Sequence, residues 1–545
     1  MSNLKRFRGS FAIIFGLLLA ALMLWGQVES GQIIGTVQDA SGAVVPNVTI
    51  TAKNIANGTI RTSATNAAGV YVIPNLQAGD WEVTFSASGF STQKQRVTVD
   101  VGAKVSLDAK MEVGQTSTTV EVSAGAVKVN TETQTLSNTI SSQQVTELPS
   151  LTRNPYDFVA TVPNVTSDMQ SGRGAGFAID GMRSSSTNVM LDGVANNDEF
   201  TATVGQPVPL DAVQEYSVTT STFSAEYGRA SGGVVNLITK SGTNDFHGSA
   251  YEFNRVSALA SNSFYDNAYE LPKPIYTRNA FGYSIGGPII KNKLFFFQNT
   301  EWTRVRSYGN EIAMVPTSQL IAASNANTQA FFSSFGALRG DLTTLATLTK
   351  TSVPTICNGG SATGPCAALP ASTPMFNEVT YQTPADSGAG SPQNTYDIVG
   401  NVDYNLSDKS QMSFRYALYN ESDFNGVVNT SPYKGFETGQ TNVDNHVTYS
   451  LTHTFSPTLV SQTRLSFNRL NNTQPLGAAP IGPTLYMNSS SAARVDGQLI
   501  SFPGYSEYTP GNAIPFGGPQ NFVVLAEDVT KVRGRHNMRF GGQVT

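Results

Sequence analysis

The sequence predicts a mainly β, exported chain with a small β-sandwich at its front and a transmembrane β-barrel at its back. Three observations carry this expectation. Short β-rich runs recur at roughly ten-residue spacing before residue 113, as strands of a small sandwich do. After residue 245 the strands lengthen and alternate, with short turns at one end and long polar loops at the other, as in a membrane barrel. A basic segment followed by a short apolar run opens the chain, as in an exported protein.

Composition agrees. A chain of 545 residues exceeds one ordinary core, so several domains are expected. Charged residues are 13 %, aromatics 10 % and glycines number 49, too apolar and aromatic for disorder and suited to many strands joined by turns. The formal charge of −5 becomes −7 without residues 1–30, which carry three basic residues and one acidic. No basic stripe exists, so nucleic acid is not an expected partner.

At the N-terminus Lys5, Arg6 and Arg8 precede the apolar run Phe11–Trp25, then Gly26, Gln27 and Ser30. This predicts a signal peptide over residues 1–30. An anchor helix is the alternative, but the run falls short of the roughly 20 residues that span a bilayer. No cysteine near its end suggests a lipid anchor, and no later segment reads as a transmembrane helix. The only cysteines, Cys357 and Cys366, lie in a Gly-rich loop without nearby His, which in an exported protein reads as a local disulfide rather than a metal site.

The first zone, residues 31–113, contains the runs Ile33–Gln38, Val48–Asn54, Thr59–Thr65, Val70–Ile73, Trp81–Ala87, Gln95–Val101 and Val105–Met111. Turn pairs such as Asn57-Gly58 and Ser88-Gly89 separate them. Trp81, Val83 and Phe85 share one face, with Glu82 and Thr84 on the other. The ordered motifs Gly35-Thr36-Val37-Gln38-Asp39, Asn66–Tyr71 and Ala78–Trp81 resemble the carboxypeptidase regulatory-like domain. That resemblance implies a transthyretin-like sandwich acting as a module, without peptidase activity.

The second zone opens with Thr119-Val120-Glu121-Val122-Ser123-Ala124. It continues through Ile179–Arg183, Val189–Val194 and Val213–Val218, and closes on Tyr227-Gly228-Arg229 and Gly232-Gly233-Val234-Val235-Asn236-Leu237-Ile238-Thr239-Lys240. The closing motif resembles the plug domain of TonB-dependent receptors, and Thr119–Ala124 resembles a TonB box. The resemblance implies an α/β plug over residues 126–244, with the TonB box and linker at 116–125. It also implies plug roles for Arg183, Asp192, Glu215, Tyr227, Gly228, Arg229, Gly232, Gly233 and Asn236. Arg183, Glu215 and Arg229 either pair with charges on the barrel wall or are plain surface charge.

In the third zone, residues 245–545, three hairpins are expected. Tyr396–Tyr404 pairs with Met412–Leu418 through Asn405–Ser410, and Val447–Leu451 with Leu465 and Phe467 through Ser456–Thr458. Phe522–Thr530 pairs with Met538–Val544 through Arg533–Arg535. Lipid cannot satisfy backbone groups, so such strands must close into a barrel. Phe295, Phe296 and Phe297, with Tyr283 and Trp302, suit an interfacial aromatic girdle. The stretches Lys240–Ser249, Phe281–Ile290 and Lys293–Phe297 resemble Oar-like members of the TonB-dependent family. The resemblance implies a barrel of the 22-stranded type. About nine or ten strands are legible before Thr545, so an incomplete barrel and a fragment of a longer protein are expected.

No catalytic constellation emerges, and no cofactor or metal is expected. His247, His446, His453 and His536 form no His-Glu-x-x-His motif, and His446 and His453 fall on opposite faces of a strand. Gly172–Gly176 lacks the Lys-Ser or Lys-Thr of a phosphate loop. Asp180, Asp192, Asp198 and Glu199 read as turn residues rather than a Ca²⁺ site.

The resemblance therefore implies an outer-membrane transporter with a periplasmic N-terminal domain. It would take up an extracellular ligand too large or scarce for porins, with TonB pairing to Thr119–Ala124 as an added strand. The alternative is a surface protein anchored in the outer membrane by its barrel, which binds glycan or peptide without transport, with Trp81, Tyr71 and Phe90 as a sugar platform.

Overall fold

A computed structural model describes residues 31–114, 119–123, 135–150, 152–168, 175–224, 227–262, 264, 267, 273–353, 368–474, 494–495, 498–504, 516–533 and 536–545. The expected signal peptide, Ala124, Cys357 and Cys366 lie outside the described residues.

The sandwich comprises β1 (Gly31–Asp39), β2 (Thr49–Asn54), β3 (Ile60–Ala64), β4 (Val70–Leu76), β5 (Gly79–Ser86), β6 (Thr92–Val99), β7 (Lys104–Ser106) and β8 (Ala109–Met111). All seven expected runs form strands. The last splits in two because Asp108 turns away to accept from the Thr36 amide and hydroxyl, each at 2.7 Å. One sheet runs β4-β1-β7 with β8 also on β1; the other runs β3-β2-β5-β6-β9, where β9 is Thr119–Ser123. Alternate residues of β5 enter the core, Trp81, Val83 and Phe85 joining Ile33, Ile50, Tyr71 and Met111. Trp81 and Tyr71 are each 1 % exposed, so they are core and not a sugar platform. A small sandwich needs its largest rings to close its core, and their polar atoms are satisfied inside. Trp81 Nε1 donates to the Gln77 carbonyl at 3.0 Å and the Tyr71 hydroxyl to the Leu107 carbonyl at 2.6 Å.

The middle unit holds β10 (Leu136–Ile140), β11 (Val165–Ser167), β12 (Phe177–Ile179), β13 (Thr187–Leu191), β14 (Val194–Ala195), β15 (Val213–Ser221) and β16 (Gly233–Thr239). Its main sheet is ordered β10-β15-β16-β13-β14, with β13 and β16 parallel. A short helix, Ser142–Glu147, starts from a reciprocal cap between Ser141 and Gln144. Gly233 needs its missing side chain, since a Cβ there would come within 2.6 Å of the Thr219 carbonyl.

The third unit contains β17 (His247–Val256), β18 (Tyr276–Ile290), β19 (Leu294–Pro316), β20 (Thr343–Thr349), β21 (Pro374–Pro384), β22 (Gln393–Ser407), β23 (Ser410–Asp423), β24 (Thr441–Ser456) and β25 (Leu459–Gln474). It ends with the ribbon β26 (Arg494–Val495) and β27 (Gln498–Leu499), then β28 (Phe516–Arg533) and β29 (His536–Val544). The wall is antiparallel, ordered β17-β18-β19-β22-β23-β24-β25-β28-β29. All three expected hairpins form, and the second pairs the expected sets, with Val447 opposite Phe467 and Tyr449 opposite Leu465. Among the described residues β17 and β29 do not pair with one another, so the wall is open. Beyond Arg304, β19 leaves β22 and pairs instead with β21 in the long-loop region. There Ala326–Phe335 forms a helix whose Phe331, Phe332 and Phe335 pack with Tyr433 and Phe436.

Register explains which face of the wall is apolar and exposed. One continuous row crosses seven strands as Phe296, Val402, Phe414, Tyr449, Leu465, Leu525 and Val544. Five of these apolar residues are exposed: Val402, Phe414, Leu465, Leu525 and Val544. The neighbouring row points inward as Phe297, Asn401, Arg415, Thr448, Ser466 and Val524. Such apolar-out, polar-in alternation is what hydrocarbon on one side demands. It also corrects the girdle: Phe295 and Phe297 are buried inside, and of the Phe triplet only Phe296 turns outward, against Phe246 at 6.3 Å. Three consecutive residues of one strand cannot share a face.

Leu465→Arg is expected to cost about 2–4 kcal/mol of folding into lipid, the scale for a cation near the midplane of a barrel's outer face. The adjacent Arg464 carries the same charge inward, paired with Asp528, so the effect belongs to the face. Urea titration of folding into phospholipid vesicles measures it; an unchanged free energy would remove Leu465 from the lipid face.

The sandwich lies at the short-turn end of the wall. Gln411 Nε2 donates to Thr59 Oγ1 at 2.8 Å, Arg61 pairs with Gln411, and Asn537 Nδ2 donates to Gln32 Oε1 at 2.9 Å.

Candidate functional site: a plug seated on the wall

The middle unit lies against the inward face of the wall. Its core is continuous with it, since Val189, Leu191, Tyr216, Val218, Val235 and Leu237 pack in one cluster with Phe297, Val399 and Ala417 of the strands. Polar groups then fix its position at three places.

The first is the Asp192-Gly193 turn between β13 and β14. Both residues have positive φ, 49° and 78°, a backbone that glycine adopts freely and aspartate tolerates. The Asp192 carboxylate accepts from the Thr239 amide at 2.9 Å and from its hydroxyl. Asn236, fully buried, accepts the Gly193 amide at 3.2 Å. The wall closes on this turn from two strands. Arg415 of β23 stands 4.0 Å from Asp192 and 3.2 Å from Asp403, and donates to Ser241 Oγ at 3.1 Å. Arg464 of β25 donates to the Gly193 carbonyl and lies 3.4 Å from Asp528. Burial pushes the Asp192 carboxyl up from its ordinary range, against the pull of Arg415 and Thr239.

The second is Arg153. Its Nη2 reaches Asp211 at 2.5 Å within the plug and Glu301 of β19 at 2.9 Å. The guanidinium also lies over Phe253 and Tyr251, 4.0 and 5.0 Å from the ring centres. Tyr251 donates its hydroxyl to Glu301 at 3.0 Å. Burial works against the Arg153 charge, but Glu301 and Asp211 outweigh it and hold the group above its ordinary value.

The third is looser. Gln520 of β28 donates to the Asp198 carboxylate and accepts the Glu199 amide at 3.2 Å, while Arg229 pairs with Glu199.

The sequence singled out Asp192 and Asn236, and both belong to the first contact. It left Arg183, Glu215 and Arg229 as either partners of the wall or plain surface charge, and the structure divides the three. Arg183 is exposed, Arg229 pairs within the plug, and Glu215 accepts the Val101 amide of the sandwich at 2.6 Å. Local motifs do not encode which distant charge a side chain meets. Gly228 accepts through its carbonyl from Asn188 Nδ2 at 3.1 Å; Tyr227 turns back through its amide to the Ser224 carbonyl, and Gly232 likewise lies in the plug's own frame, bonding the Ser186 carbonyl. Asp180 has φ 52° ahead of Gly181, so it is a turn residue as expected. Among the described residues no group of three or more His, Cys, Asp or Glu is placed to hold a metal ion.

Sequence reasoning missed Arg153, Arg415, Arg464 and Glu301. A signal existed for Arg415 and Arg464: each is a cation at the inward parity of an alternating strand, where a charge needs a partner. The Thr119–Ser123 segment is a strand as expected, but it pairs with β6 of the sandwich.

Three family models match the chain in order. Residues 32–112 match the carboxypeptidase regulatory-like domain, 129–235 the TonB-dependent receptor plug domain, and 238–545 the outer membrane beta barrel domain. The TonB-dependent transporter Oar of Myxococcus xanthus is 28 % identical over 306 residues, covering 52 % of this chain and 28 % of that protein. The probable TonB-dependent siderophore receptor PirA of Acinetobacter baumannii is 30 % identical over 229 residues, covering 37 % of this chain and 27 % of its own length. The crystal structure of the A. baumannii siderophore receptor PirA is 15 % identical with a TM-score of 0.43, over 75 % of this chain and 47 % of that one. The chain thus spans little more than a quarter of the curated relatives it matches.

Proposed function

Because the chain belongs to the outer membrane β-barrel family, with the plug of TonB-dependent receptors ahead of the barrel, we propose that it serves in energised uptake across the outer membrane. The observation that carries the reading is a plug seated on the inner wall, with an extended segment upstream of it near the short-turn end. A wide barrel otherwise leaves an aqueous channel, so a seated plug turns a pore into a gated path. The ligand lands on the long loops and the adjoining face of the plug. The Asp192 turn and Arg153 then register its arrival, because both tie plug to wall. TonB takes Thr119–Ala124 as an added strand of its own sheet at the periplasmic side. Backbone groups give that pairing its strength, with Val120 and Val122 at one parity and Glu121 and Ser123 at the other.

The protein's role is binding and movement, without a chemical step of its own. Its partners are TonB, outer-membrane lipid and an extracellular ligand, for which a glycan or peptide is one class and a siderophore, the ligand in the name of the relative PirA, another.

Deleting Thr119–Ala124 in the protein as expressed in its outer membrane is expected to abolish energised uptake and leave ligand binding at the cell surface intact. Uptake that continues unchanged would sink the assignment of this segment.

A further inference from the structure

The segment offered to TonB is already a strand of another sheet. Five consecutive residues of β9 run parallel to β6, from Thr92 opposite Thr119 to Arg96 opposite Ser123. The intervening chain crosses to the other sheet, where β7 and β8 pair with β1. It then returns beside the start of β6: the Ser91 amide donates to the Glu112 carbonyl at 2.9 Å and the Gly114 amide to the Gly89 carbonyl at 3.3 Å. That return fixes both the edge and the register. Without β9, β6 would be the open edge of its sheet, a row of unpaired backbone groups ready to take an extended peptide.

We propose that the β6 edge of the sandwich is a strand-binding surface whose occupant is the chain's own Thr119–Ser123 segment, held there in competition with TonB. The proposal rests on reading that segment as the TonB-binding strand. A strand has two backbone edges, and the competition is for the one that pairing with β6 commits. The exchange is close to balanced, since similar backbone hydrogen bonds form in either place and each is worth only about 0.5–1.5 kcal/mol net. Tethering tips it toward the sandwich: a short linker sets a local concentration in the millimolar range, far above that of a dilute partner. The segment's apparent affinity for TonB is therefore reduced by the fraction of time it lies free. The sandwich is also wired to the plug. Glu215 in β15 is 9 % exposed and accepts the Val101 amide, two residues past the end of β6. A shift of the plug sheet on ligand arrival pulls on that end and loosens the hold on β9.

The test is a reversible lock on the whole chain in detergent. Lys94 and Glu121 are register partners, and Lys94 lies on the outer face of β6 with its side chain 39 % exposed. Neighbouring strands bring paired Cα atoms within disulfide reach. Lys94→Cys with Glu121→Cys is expected to crosslink on mild oxidation, whereas Thr92→Cys with Glu121→Cys, two residues off register, is not. The oxidised protein should bind the periplasmic domain of TonB about tenfold or more weakly than the same sample after reduction. Failure to crosslink, with fast amide exchange at Thr119–Ser123 in the unaltered chain, would overturn the pairing. Equal TonB binding in both redox states would overturn the competition and leave the TonB assignment standing. A crosslink that forms while neither state nor the unaltered chain binds TonB would overturn the partner reading, and the competition with it.

Discussion

Replacing Arg153 with methionine is expected to destabilise the seated plug by about 3–5 kcal/mol, the scale for breaking a buried ion pair from one side. The reason lies in what remains. Glu301 has a side chain only 6 % exposed, and Arg153 is its one cationic partner among the described ion pairs. Removing the guanidinium leaves the buried Glu301 carboxylate of β19 facing the plug, with the Tyr251 hydroxyl as its remaining hydrogen-bond donor among the described residues. It also removes the cation from over Phe253 and Tyr251. Asp211, with its side chain 19 % exposed, contributes less because water reaches it. The double variant Arg153→Met with Glu301→Gln should recover most of the loss, since a buried pair deleted together is often near neutral. Amide exchange around Tyr156 and Asp211 in the whole chain reads the local free energy, and denaturant titration reads the total. Single and double variants that lose the same amount would show that the charge pair does not seat the plug.

Trp81→Ala should cost the sandwich about 3–5 kcal/mol, the range for emptying a large aromatic from a core. For a domain of this size that is much of its stability, because small domains bury little surface to begin with. Trp81 is 1 % exposed among Ile33, Ile50, Val83, Phe85 and Met111, and its indole N–H holds the Gln77 carbonyl. The consequence reaches the site, since β5 carries β6 and β6 carries β9. Limited proteolysis should cut residues 31–113 quickly while the wall persists, because barrel and sandwich have separate cores. Trp81→Phe should restore most of the resistance. Cleavage as slow as in the unaltered chain would remove Trp81 from its central place.

The lipid-facing and lumen-facing variants differ in kind from these two. Leu465→Arg acts through the solvent that the wall meets, whereas Arg153→Met acts through a partner that the wall supplies. Measuring both on one preparation separates failure to insert from failure to seat.

By itself the sequence determined the elements whose causes are local. Alternation at period two, with Asn, Gly and Ser turns between, specified the seven runs of the sandwich and the three long hairpins. For Val447 and Tyr449 with Leu465 and Phe467 it narrowed the pairing as well, because a turn centred on Pro457 keeps both apolar sets on one face. The helix Ala326–Phe335 escaped notice, although Phe331 and Phe335 at i,i+4 and Phe332 and Phe335 at i,i+3 mark one helical face, because the period lasts little more than one turn. Tertiary structure alone decided who meets whom. Arg153 and Glu301 lie 148 positions apart, and nothing near either names the other. Alternation says that Phe295, Phe296 and Phe297 divide between two faces, but only the seated plug makes one of those faces the inside. Thr119–Ser123 is extended by its own residues, yet its partner is chosen by which sheet offers an open edge within reach. Backbone hydrogen bonding carries no sequence label, and so the sandwich edge and a partner's sheet suit the segment equally well.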